Sequence, residues 1–191
     1  MAVELDGSRR VAPSEDIAMR STLLRLSACL ILCASSAAAG EVFVGAQAHD
    51  IHVFGVGKYE DGAELSVGYR TSPLSGLSVI GAPSLYGFGA ANTDGGLDYA
   101  AAGLSWRFGD RFFVRPGLGI GVHDGHVGKF QVGNQLNLGS RVLAELELGA
   151  GFQINPRWSL EGSLVHMSHA QLAGRQNPGV DDVGLRLSYH F

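Results

Sequence analysis

The chain has 191 residues, 46% of them hydrophobic and 17% charged, and its 28 glycines suit many short strands better than long helices. A net charge of −4 argues against a nucleic-acid partner, which calls for a basic face. No stretch of the body is apolar over the roughly 20 residues that a membrane-spanning helix needs, so any crossing of a bilayer must be made by strands.

The N-terminus reads as an address. Residues 1–18 are polar and mixed in charge, which suggests an extension upstream of the true start at Met19. From Met19 a secretory signal is expected over residues 19–39: Arg20 and Arg25, the apolar stretch Leu26 to Ala34, then small residues that place cleavage after Ala39. Leu26-Ser-Ala-Cys29 has the form of a lipoprotein site, but Arg25 interrupts the apolar run that should precede it. Cys29 and Cys33, the only cysteines, leave with the signal, so the domain over residues 40–191 is expected to carry neither disulfide nor thiol chemistry.

Eight alternating segments follow: Val42–His49, Ala63–Thr71, Ser78–Ala90, Leu97–Phe108, Phe112–His123, Ser140–Gln153, Trp158–Ala170 and Asp182–Phe191. In the sixth, Val142, Ala144, Leu146, Leu148, Ala150 and Phe152 form one face and Glu145, Glu147, Gly149 and Gly151 the other. A soluble lipocalin-like barrel would bury the apolar face. A small transmembrane barrel turns it to lipid and fills its narrow lumen with small and paired charged residues. Tight connections at Ser72–Gly76, Gly109–Arg111 and Asn155–Arg157 alternate with longer ones around Asp61, Asp94, His126 and Gln176. That asymmetry, with the aromatic ending Tyr189-His-Phe191, favours an all-β, eight-stranded antiparallel barrel of the bacterial outer membrane. The parity of the third segment breaks near Gly81-Ala-Pro-Ser84, where a bulge is expected.

Candidate chemistry lies on the seventh segment. Side chains repeat every second residue, so Trp158, Leu160, Leu164, His166 and Ser168 share the outward face. On the eighth, Val183, Leu185, Leu187, Tyr189 and Phe191 point outward, which sends Asp181 out and Asp182 in. A serine, an imidazole that can take its proton and a carboxylate that can hold the imidazole's tautomer are the components of a hydrolase site. The alternative on alternation alone is polar residues that mark the membrane–water boundary.

The stretch from Leu138 to Phe191 resembles the PagL-type outer-membrane lipid A deacylases, through Leu138-Gly-Ser140, Glu145/Glu147, His166-x-Ser168-x-Ala170 and Asn177-Pro-Gly-Val-Asp181. Gly45-Ala-Gln-Ala-His-Asp-Ile51 is more faintly similar to the family's first strand. The resemblance implies an ester hydrolase embedded in the outer membrane, with lipid A of lipopolysaccharide as substrate and no cofactor or metal. It cuts the 3-hydroxyacyl chain at the 3 position. The family's serine, histidine and glutamate fall on Ser168, His166 and Asp181, and Asn177 and Ala170 become the residues for oxyanion stabilisation and substrate positioning. His169 stands where the family has Asn, the loop before Asn177 is one residue longer, and the acid is Asp where the family has Glu. An inactive structural or adhesive barrel would share the strands without needing a serine beside the histidine.

Two further histidine pairs, His49-Asp-Ile-His52 and His123-Asp-Gly-His126, lie at predicted outer strand ends, where metal binding competes with a solvated rim. Gly117-Leu-Gly-Ile-Gly121 lacks the helix a phosphate loop requires, and its glycines fall on the lumen side.

Overall fold

The computed structural model describes residues 39–54, 57–128, 130, 135–172 and 175–191; the expected extension and signal before Ala39, with both cysteines, lie outside the described residues. Eight strands follow one another: β1 (Gly40–Ala48), β2 (Ala63–Thr71), β3 (Ser84–Asn92), β4 (Tyr99–Ser105), β5 (Phe112–His123), β6 (Val142–Asn155), β7 (Trp158–Ser168) and β8 (Val180–His190). Each pairs antiparallel with the next, and β8 pairs with β1 to close the barrel, so no sheet edge is left open.

The wall is apolar outside and charged inside, which fits a hydrocarbon solvent. On β6, Val142, Leu146, Leu148 and Phe152 are exposed while Leu143, Glu145 and Glu147 are buried. Inside, Arg115 reaches Glu41 at 2.7 Å and Glu161 at 3.1 Å, Arg70 reaches Glu41 and, at 3.0 Å, Glu147, and Arg186 reaches Glu147 at 2.5 Å. Tyr86 donates its hydroxyl to Glu145. Glycine makes the room: a Cβ on Gly117 would lie 2.5 Å from Cγ of Glu147, which therefore fills the space that Gly117 leaves. At the end of the barrel where the chain terminates, Trp158 packs on Tyr189 with ring centroids 5.0 Å apart and Phe191 stacks on Tyr69 at 6.2 Å, an aromatic cluster of the kind that girdles small outer-membrane barrels.

The third segment is corrected. Residues Ser75–Ile80 form a 3-10 turn, and β3 begins only at Ser84. Gly81 (φ +88°) and Ala82 (φ +47°) reverse the chain, and Pro83 offers no N–H to a ladder, so the strand cannot start earlier. The connection over residues 72–83 is accordingly longer than the outer one over 93–98, and the expected contrast between short inner and long outer loops is partial. The connection between β6 and β7 is the tight turn at Pro156-Arg157.

The outer end of the lumen is held by one imidazole among carboxylates. Nδ1 of His49 lies 2.9 Å from Asp182 and 3.1 Å from Glu64, and its Nε2 lies 3.3 Å from Glu60. Burial opposes charge on this ring, but the hydrogen bonds to Asp182 and Glu60 prevail and lift its pKa from 6.5 to about 10. Burial likewise opposes charge on Glu60, and the bonds from His49 and from the Leu136 and Leu97 N–H groups prevail and lower its pKa. A raised histidine stabilises the fold fully below its unfolded value of 6.5; the contribution shrinks as pH rises toward 10 and is lost above it. Between pH 7 and 9 the detergent-solubilised barrel should lose stability as pH rises, on the order of 1 kcal/mol per pH unit from this group. Unfolding followed by the heat-dependent gel shift should show that slope in wild type and a flatter one in His49→Gln.

Candidate active site

β7 and β8 are neighbours, and their register sets His166 directly opposite Asp181. A short carboxylate is enough at that spacing: Oδ1 of Asp181 lies 2.6 Å from Nδ1 of His166. Ser168 follows two residues on along the same face, and its Oγ lies 3.1 Å from Nε2 of the ring. Ionised Asp181 only accepts, so Nδ1 carries the proton, and Nε2 presents its lone pair to the serine hydroxyl. This is the arrangement in which an imidazole can withdraw a proton from a hydroxyl.

All three groups lie on the outer side of the wall. On β6 the residues opposite Ser168 and His166 are Ala144 and Leu146, and Leu146 is exposed. The next residue after Asp181 points the other way: Asp182 accepts from Tyr99 OH at 2.8 Å and binds His49 inside the lumen. A cavity of about 430 Å³ opens at the outer end of the barrel, lined by Glu60, Asp61, Asp94 and Asp124 among others, and neither Ser168 nor His166 borders it.

Asp181 is only 1% exposed, although it belongs to the outward row. The cover is the loop after β1, and alternation gave no sign of it. The N–H groups of Val53 and Phe54 both donate to Oδ2 of Asp181, at 2.9 and 2.6 Å. The Phe54 ring stands edge-on to His166, 5.7 Å away at 82°. Nothing in the local composition of His49 to Phe54 marks these contacts; the one available signal is topological, since closure lays β1 beside β8.

The remaining predicted residues surround the turn that follows Ser168. Ala170 (φ +48°) and Gln171 (φ +61°) are consecutive left-handed residues, a conformation that side chains disfavour, and they form the turn that ends the strand. Leu172 N–H closes the turn on the His169 carbonyl at 2.8 Å. Oδ1 of Asn177 accepts the His169 N–H at 3.0 Å, which ties Asn177 to the residue after Ser168 and leaves its NH₂ without an acceptor among the described residues. His169 itself is buried and its Nε2 lies 2.8 Å from the Gln176 carbonyl, so it braces the loop.

Among the described residues, neither histidine pair comes together as a metal-ligating group. His123 is buried with Nε2 2.6 Å from the Ser140 carbonyl, and His49 is engaged inside the lumen. The one grouping of metal-type donors among the described residues is His49, Glu64 and Asp182, whose ligand atoms lie within 4.8 Å of one another. It brings together neither pair.

Comparison with known proteins adds three findings. Residues 61–190 match the family described as lipid A 3-O-deacylase (PagL). A search of curated proteins finds no match. Among solved structures, the crystal structure of the outer membrane enzyme PagL is similar with a TM-score of 0.54 at 18% identity, covering 78% of this chain and 97% of that one. The outer membrane protein Ail of Yersinia pestis in a phospholipid nanodisc gives 0.48 at 14% identity, covering 81% of this chain and 100% of that one.

Proposed function

This chain belongs to the lipid A 3-O-deacylase (PagL) family, and from that membership together with the Ser168–His166–Asp181 geometry we propose that it is a serine esterase of the outer membrane. Its substrate in this reading is lipid A, and the bond cleaved is the ester of the 3-hydroxyacyl chain at the 3 position. The observation that carries the proposal is the hydrogen-bonded series from Oγ of Ser168 through His166 to Asp181, mounted on the lipid side of the barrel.

The reaction follows from the donor and acceptor positions. Oγ of Ser168 attacks the ester carbonyl while Nε2 of His166 takes its proton, and the charge that develops on the imidazole is met by Asp181. The tetrahedral intermediate collapses, the C–O bond to the sugar breaks, and His166 returns the proton to the leaving alcohol. Water then attacks the acyl-serine with His166 again as base, releasing the 3-hydroxy fatty acid and restoring Ser168. The amide NH₂ of Asn177 and the backbone of the Ala170 turn are assigned to the oxyanion and to substrate positioning. Placement on the outer wall suits a substrate whose acyl chains stay in the bilayer, because it reaches the serine by lateral diffusion without entering the lumen.

Mass spectrometry of lipid A from cells that express the protein tests the reading. Wild type should remove one 3-hydroxyacyl chain, and Ser168→Ala should leave lipid A intact. Identical profiles from the two would reject the esterase and leave an inactive structural or adhesive barrel.

A further inference from the structure

Catalytic carboxylates need their second oxygen satisfied, and here that oxygen is satisfied by a segment outside the β7–β8 pair. Asp181 gives Oδ1 to His166, and its Oδ2 takes two consecutive N–H groups, those of Val53 and Phe54. The backbone bond from Ile51 N–H to the Asp181 carbonyl, at 2.8 Å, fastens the same segment to the same residue. We infer that residues Ile51–Phe54 are a working part of the active site, in which the Val53 and Phe54 amides position Asp181 and the Phe54 ring forms the acyl-facing wall over His166. This deepens the esterase reading and rests on it.

The segment is built to hold that shape. β1 pairs with β8 up to Ala48 and Val183, and the next residues would continue along β8 toward Asp181. Asp50 breaks the ladder with φ +49°, a left-handed conformation that Asp tolerates better than most residues. It is pinned on both sides: its own N–H donates to Asp182, at 3.2 Å, and its Oδ2 accepts from the N–H groups of Tyr59 and Glu60, at 2.6 and 3.0 Å. The chain is thereby turned over the rim so that successive amides face Asp181. Bonds from backbone N–H groups stabilise a carboxylate in its ionised form, which a buried acid beside an imidazole needs if it is to hold the correct tautomer.

Phe54 has a different task. Its ring is 67% exposed yet is held edge-on against His166. With Leu146 opposite His166 on β6, the imidazole lies between an aromatic and an aliphatic side chain. An acyl ester delivered from the membrane meets apolar surface on each side of the base, and water has less access to the hydrogen bond between His166 and Asp181. These residues precede the 61–190 stretch that matches the family, so the assignment comes from the contacts alone.

Kinetics on purified protein in detergent with lipid A as substrate separate the two roles. Phe54→Ala keeps the amide and removes the ring; it should raise KM about 5- to 10-fold with kcat within about 2-fold, and Phe54→Leu should restore most of the loss. Phe54→Pro also removes the amide donor and should lower kcat by a further ~10- to 100-fold, the penalty of a displaced orienting acid. Amide exchange gives a readout that needs no turnover: the Val53 N–H also reaches the Ile51 carbonyl, at 2.9 Å, so the test is at Phe54, whose protection should be retained in Ser168→Ala and lost in Asp181→Ala. If Phe54→Ala and Phe54→Pro both stay within about 2-fold of wild type and exchange is the same in the two dead variants, the inference is overturned while the esterase stands. Wild type no more active than Ser168→Ala would remove the esterase, and the inference with it.

Discussion

Replacing His166 by alanine should lower kcat for release of the 3-hydroxyacyl chain by about 10⁴- to 10⁶-fold, and combining it with Ser168→Ala should add almost nothing. The reason is in the geometry. Among the described residues the base within reach of Oγ of Ser168 is the ring nitrogen at 3.1 Å, and without it the hydroxyl attacks only as a neutral, weak nucleophile. A base that has no nucleophile to activate is equally idle, so the two losses describe one step and cannot be summed. KM should change little, because the imidazole is half-buried in the wall and contributes small contact area to the lipid. Single-turnover mass spectrometry on lipid A in detergent, with the heat-dependent gel shift as a check on folding, measures both variants and the double. Losses that multiplied would mean that serine and histidine act in separate processes, which this mechanism does not allow.

Much of the site could be read from alternation because a strand's period of two is unforgiving. Once Leu160 and Leu164 face lipid, His166 and Ser168 must do so too, and the same count on β8 separates Asp181 from Asp182. The structure bears out the closed eight-stranded barrel and the direction of each of these side chains. Parity cannot show which strand is adjacent at which height. The pairing of His166 with Asp181 depends on register, and register is why the shorter acid still reaches the ring. Loops obey no period at all. The turn at Asp50 and the amides of Val53 and Phe54 left no pattern to find, and neither did the 3-10 turn that displaced the start of β3. Pro83 and Gly81 were visible as breakers, but breakers mark where a strand stops and do not tell what replaces it.

The same alternation that exposes the serine confines the arginines, and Arg186 should be the residue whose loss the fold tolerates least. It is 1% exposed, its guanidinium lies 2.5 Å from Glu147 and 3.9 Å from Glu161, and it rests over the rings of Phe43 and Phe88 at 5.0 and 4.9 Å. Arg186→Met keeps much of the volume and removes the charge. Glu147 then depends on Arg70 alone, and Arg70 is already shared with Glu41. A buried ion that loses its partner costs about 3–5 kcal/mol, far more than the pair contributes when whole. Urea unfolding of the detergent-refolded barrel should show that loss. The second substitution decides its origin: Arg186→Met with Glu147→Gln removes both charges and should recover more than half of the stability, since Arg70 retains Glu41. Were the double variant less stable than the single one, the loss would lie in packing against Phe43 and Phe88 and not in an uncompensated carboxylate. Lipid A deacylation by the double variant should remain near wild type, because Arg186 and Glu147 face the lumen while Ser168 and His166 lie on the outer face of the wall.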